Sequence, residues 1–121
     1  MIAHNHLQNL TPAAVREAMA EPRVLLVDVR EPNEYAAERI PGAVLFPLST
    51  FDPTALPSPE ACDIIFHCKA GGRSAKAVEM CLAKGIAHTR HLAGGFDAWK
   101  AAGLPTVPAS GSFVAGLFGR R

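Results

Sequence analysis

No stretch of this sequence approaches the ~18 consecutive apolar residues that a transmembrane helix needs, so no membrane span is expected. Excess charge of either sign is also missing. Twelve Lys and Arg stand against 11 Asp and Glu, a net charge of +1. That excludes a whole-molecule field drawing the chain to nucleic acid or to an acidic membrane, so any preference for anions must be local. Cysteine is limited to Cys62, Cys68 and Cys81, an odd count without paired spacing. This argues against a disulfide framework and against a structural zinc site, and neither a metal nor an organic cofactor is expected. The opening residues, MIAHNHLQNLTPAAV, lack a basic start followed by an apolar run. No signal peptide is expected, and a reducing cytoplasm is the expected location.

What is present is globular: hydrophobic residues make up 49% and charged residues 19% of 121, the size and composition of one domain. TPAAVREAMA reads as a helix, with Thr11 at the N-cap and Pro12 at the first helical position. RVLLVDV, ending near Asp28, is a short buried strand. REPNEYAAERI is a short helix begun at Pro32 and stopped before Pro41-Gly42. AVLFPL is a second strand, residues 49–61 a proline-rich loop, and DIIFHC a third strand. RSAKAVEMCLAKG repeats apolar residues at helical spacing and stops at Gly85. HTRHL is a fourth strand, and GGFDAWKAAG a turn and short helix. Strands alternating with helices over such short spans predict an α/β fold with a mostly parallel sheet covered on both faces. Ligands gather at the carboxyl ends of the strands in such sheets. The domain is expected over 1–106, followed by an apolar, Gly-rich tail over 107–121. That tail either packs back on the domain or contacts a partner or membrane surface.

The chemistry concentrates in HCKAGGRSA, residues 67–75, directly after an apolar strand. A free thiol has a pKa of about 8.5, and a helix N-terminus or nearby cations lower it. Lys69 and Arg73 bring positive charge. Gly71 and Gly72 allow successive N–H groups around Ala70 to turn inward as an anion nest. The helix that follows aims its positive end at the same place. Ser74 is placed either to cap that helix or to donate to a bound oxygen. Cys68 therefore reads as a nucleophile. Cys81, on an apolar helix face, reads as core, and Cys62 as an ordinary partly exposed thiol. His67 should point away from the loop and reads as structural. His4 and His6 read as solvated, and His88 and His91, flanking a short strand, also read as non-functional.

Three motifs in order resemble the rhodanese-like single-domain sulfurtransferases: LLVDVREPNEYAAERIPGAVLFPL, IIFHCKAGGRSAKA and HLAGGFDAWKAAGLP. The resemblance covers about residues 7–106. It implies a rhodanese-like fold, with about five mostly parallel strands flanked by helices on both faces. It also implies that Cys68 takes a sulfane sulfur from a donor such as thiosulfate, forming a persulfide that a thiophilic acceptor (cyanide, a thiol or a protein) removes. Lys69, Ala70, Gly71, Gly72, Arg73 and Ser74 would form the persulfide-binding loop, with Asp28 and Arg30 positioning it. Arg39 stands where the family often has histidine.

The same fold resembles that of certain cysteine-dependent phosphatases and arsenate reductases, whose loops need one residue more between cysteine and arginine. Here only four residues separate Cys68 from Arg73, the sulfurtransferase length. The loop also lacks an acid to protonate a leaving oxygen. A non-catalytic binding or regulatory module of the same family usually loses the cysteine. Sulfur transfer is therefore the expected function, with those two readings as its alternatives.

Overall fold

The computed structural model describes residues 6–108. Chain order is β1 (Gln8–Leu10), α1 (Pro12–Ala18), β2 (Val24–Asp28), α2 (Pro32–Ala37), β3 (Glu38–Arg39) and β4 (Val44–Leu45). Two 3-10 turns follow (Leu48–Thr50 and Pro53–Ala55), then β5 (Asp63–His67), α3 (Gly72–Ala83), β6 (Arg90–Leu92), α4 (Gly95–Ala101) and β7 (Val107–Pro108). His4 and residues 109–121 lie outside the described residues, so the readings made for them stay as stated above.

Five strands form one parallel sheet in the order β1-β6-β5-β2-β4, the number the family resemblance implied and one more than the residue pattern showed. The apolar run Ile64-Ile65-Phe66, at most 2% exposed, occupies the central strand, where both faces must be covered. Alternation along the strands then sorts the core into two halves. Val27, Phe66 and Cys68 pack with Val78 and Cys81 of α3 on one face. Leu26, Ile65 and Leu92 pack with Val15 of α1 and with Phe96 and Trp99 of α4 on the other.

Local chemistry sets the helix starts. The Thr11 side chain accepts from the Ala14 N–H to cap α1, with Pro12 next. In α2 a capping box joins Glu31 and Glu34, and Pro32 opens the first turn. The helix expected to run to Ile40 ends instead at Ala37. Glu38 and Arg39 turn extended to pair antiparallel with Val107 and Pro108, the first two residues of the expected tail. No helix among the described residues is long and apolar enough to cross a membrane.

Candidate active site

Cys68 follows the last residue of the central strand, and α3 begins four residues later at Gly72. Gly71 makes the corner at φ +115°, a conformation L side chains rarely adopt. The turn folds the start of α3 back over the cysteine. The Gly71 N–H donates to Cys68 Sγ at 3.1 Å and the Ser74 N–H at 3.3 Å. The sulfur therefore satisfies orphan donors of the helix N-terminus, the task an N-cap oxygen usually performs. Cys68 is only 1% exposed, so its thiol lies beneath the turn that follows it.

These contacts set the thiol's acidity. Burial pushes it up, but the hydrogen bond between Cys68 Sγ and the Ser74 hydroxyl oxygen, 3.5 Å, and those from the N–H groups of Ser74, Gly71 and Ala70 outweigh burial. The net result lies below the ordinary thiol value. Cys81 receives burial without such donors and is pushed up to about 11. Cys62 is half-buried.

The cations have a different place from the one their sequence position implied. Arg73 forms a two-pronged ion pair with Glu34 of α2, and the Lys69 ammonium lies 3.0 Å from Asp97 of α4. Neither stands against the sulfur with a free charge. Attraction to Cys68 is a smaller influence on Arg73 than its pairing with Glu34. Ser74 is the third residue of α3. Its hydroxyl faces Gly71 O and His91 rather than capping the helix. Gly72 is an ordinary helical residue with open space around it.

Asp28 and Arg30 act on the other face of the sheet. The carboxylate, fully buried, takes hydrogen bonds from the Arg30 Nε and Nη2, at 2.8 Å for the latter. Burial raises the Asp28 carboxyl, but contact with His67 and hydrogen bonds from Arg30 outweigh it and hold the group well below the usual range. His67 Nε2 approaches Asp28 Oδ2 at 3.4 Å without a hydrogen bond. Arg30 also lies over the Phe96 ring, its guanidinium carbon 4.5 Å from the centroid. Phe96 is the second residue of α4, and its N–H donates to Cys68 O at 2.8 Å; the Asp97 N–H donates to Lys69 O. Asp28 thus reaches the loop through Arg30 and the α4 N-terminus. Gly95 permits this docking at φ +62°, since a Cβ there would lie 2.5 Å from both Cys68 O and Lys69 O.

Sequence reasoning missed three residues here. Glu34 carried a signal in the capping-box spacing of Glu31 and Glu34, though not its pairing with Arg73. Gly95 stood in a quoted Gly-Gly motif without a role. His91, 4% exposed, lies 2.7 Å from Ser74 Oγ, and nothing in its neighbourhood in sequence announced that contact. Among the described residues no three His, Cys, Asp or Glu are grouped to hold a metal.

A mouth beside the loop is lined by Arg30, Glu34, Glu38, Lys69, Asp97 and Lys100. Lys100 pairs with Glu38 at 2.8 Å, so carboxylates and cations alternate around it. The assembly offers a thiol of lowered pKa, N–H groups turned in toward its sulfur, and a mixed-charge pocket beside Lys69.

Residues 11–102 match the family described as the Rhodanese-like domain. The chain is 39% identical over 98 residues to an uncharacterized protein of Synechocystis sp., covering 81% of this chain and 55% of that one. It is 35% identical over 88 residues to a sulfurtransferase of Allochromatium vinosum, covering 73% of this chain and 82% of the relative. Among solved structures, a rhodanese-related protein from Thermoplasma volcanium superposes with a TM-score of 0.72 at 26% identity, over 83% of this chain and 97% of that one. The chain thus spans about half of the first relative and most of the second.

Proposed function

The chain belongs to the rhodanese-like domain family, and from that premise we propose that it transfers sulfane sulfur, carried as a persulfide on Cys68. The observation carrying this reading is the convergence of the Gly71 and Ser74 N–H groups on Cys68 Sγ. Donors so placed stabilise a thiolate, and after transfer they lie next to the persulfide anion. The donor is a small sulfur anion such as thiosulfate. The Cys68 thiolate attacks its outer sulfur, the sulfur–sulfur bond of the donor breaks with its electron pair, and sulfite leaves. An acceptor thiolate, a protein thiol or cyanide then attacks the terminal sulfur, and Cys68 departs as thiolate. Charge and electrons balance in each half, and no cofactor enters.

Lys69, its side chain 61% exposed, is the loop's exposed cation, and Arg73 holds α3 against α2. Asp28 and Arg30 position the loop through Phe96. A nucleophile that must stay a free thiol fits a reducing, cytoplasmic setting. The alternatives fare worse. A binding module has no use for a thiol of lowered pKa. A phosphatase needs a free acid, and the carboxylates bonded to the loop's cations, Glu34 on Arg73 and Asp97 on Lys69, are ion-paired.

Initial rates with thiosulfate and cyanide varied together test the reading, with glutathione as a second acceptor. Covalent sulfur transfer gives parallel double-reciprocal lines. Intersecting lines would contradict a persulfide intermediate. Absence of turnover with every sulfane donor and acceptor would contradict the function.

A further inference from the structure

His91 sits on β6, on the same sheet face as Phe66, its register partner in β5. Its Nε2 is 2.7 Å from Asn9 Oδ1 of β1, and its Nδ1 is 2.7 Å from Ser74 Oγ of α3. Asn9 Oδ1 has only lone pairs to offer, so Nε2 carries the hydrogen and Nδ1 is bare. The Ser74 hydroxyl then donates to Nδ1, its shorter contact, with Gly71 O farther off at 3.2 Å. That leaves Ser74 Oγ to accept the thiol hydrogen of Cys68, at 3.5 Å.

We propose that His91 is a positioning residue for the nucleophile: acting through Ser74, it takes up the proton that Cys68 releases and returns it later. The thiol proton passes to Ser74 Oγ while the Ser74 proton passes to His91 Nδ1. Sulfur keeps the electron pair of the broken S–H bond. Serine remains neutral, and its new O–H now points at the thiolate. The imidazolium still donates from Nε2 to Asn9 Oδ1, so the histidine keeps its partners in both states. When Cys68 departs as thiolate in the second half of the reaction, the same steps run backwards.

The surroundings leave this exchange to the pair. From β1 the ring meets Asn9 and from α3 Ser74, Phe66 is its register neighbour in β5, and a Cβ on Gly71 would lie 3.8 Å from its Cε1. Cys68 is the titratable group beyond Ser74. Asp28 and His67 lie on the opposite face, while Arg73 is paired with Glu34 and Lys76 with Glu79. Burial holds His91 below the usual histidine value, so the ring gives the proton back readily.

The relay rests on Cys68 being the nucleophile but not on any sulfur donor, so its test is separable from that of sulfur transfer. The readout is the pH dependence of Cys68 alkylation by iodoacetamide. His91→Gln should raise the ionisation midpoint by about one unit and slow alkylation at pH 7 about tenfold. Ser74→Ala should do the same, and the double variant should lose no more than Ser74→Ala alone. His88→Gln, at a residue bonded to Pro57 O away from the loop, should leave the midpoint in place. An unchanged midpoint in His91→Gln, or additive losses, would overturn the relay. So would a lowered midpoint, because His91 would then be competing with sulfur for the Ser74 proton. Ring-nitrogen NMR of the native protein needs no variant. The His91 titration should shift when Cys68 is alkylated, and a titration that stays put would overturn the proposal.

Discussion

Arg73 and Glu34 form a two-pronged ion pair, 2.8 Å and 3.0 Å, that ties the first turn of α3, the helix after Cys68, to α2. The pair holds the Glu34 carboxyl down to about 2, against an ordinary value of 4.5. A depressed folded value means the stabilisation is complete above the unfolded value and is lost as pH falls through the folded one. Glu34→Gln should therefore cost about 1 kcal/mol near neutrality, the scale of a partly exposed charge-assisted pair. The difference from the native protein should shrink between about pH 4.5 and pH 2. Urea denaturation across that range checks it, and a pH-independent difference would contradict the pairing. Sulfur-loading rate should fall severalfold in the variant as α3 loosens over Cys68.

Two glycines in the quoted motifs have opposite tolerances. Gly95→Ala places a Cβ 2.5 Å from two loop carbonyls at a left-handed φ. It should cost about 2–4 kcal/mol and weaken sulfur loading with it. Gly72→Ala meets nothing within 4 Å and lies in a helical turn. It should be neutral or stabilising by up to about 1 kcal/mol. Thermal melts of both variants check the contrast, and equal destabilisation would break it.

Asp28→Asn removes the carboxylate from beneath a buried guanidinium. An uncompensated buried charge costs about 3–5 kcal/mol, far more than a surface pair. Chemical denaturation should show a loss of that order, together with slower Cys68 reactivity as α4 shifts. A loss under about 1 kcal/mol would mean that Arg30 finds water or another partner.

Asp97 restrains Lys69, the exposed cation of the loop, at 3.0 Å. Asp97→Asn should free Lys69 and lower the KM for thiosulfate about two- to threefold at low salt, with the gain fading at high ionic strength. A KM that rises would assign Asp97 to holding the loop rather than restraining Lys69.

The physics that made parts of this molecule legible also explains what stayed hidden. Continuous apolar runs announced β2 and β5, because strands covered on both faces have no polar side to show. Caps at Thr11 and Pro32 announced α1 and α2. Strand β1 gave no such signal. It has three residues, Gln8–Leu10, and joins the sheet through backbone pairing with β6. The two-residue ribbon of β3 and β7 was equally silent. In the site, Cys68 and its loop were legible because the chemistry is contiguous in sequence. Arg73 was legible as a charge but not as a charge already paired, since its carboxylate is 39 residues away. His91 is 17 residues from Ser74, and only the packing of β6 beside β5 brings them together.

Whether Cys68 itself holds the transferred sulfur is read most directly by intact mass after incubation with thiosulfate, for the native chain and for Cys68→Ser. The native chain should gain the mass of one sulfur atom, which cyanide then removes, and Cys68→Ser should gain nothing. A native chain that gains no sulfur from thiosulfate or from any persulfide donor, or a Cys68→Ser chain that gains it equally, would contradict the assignment.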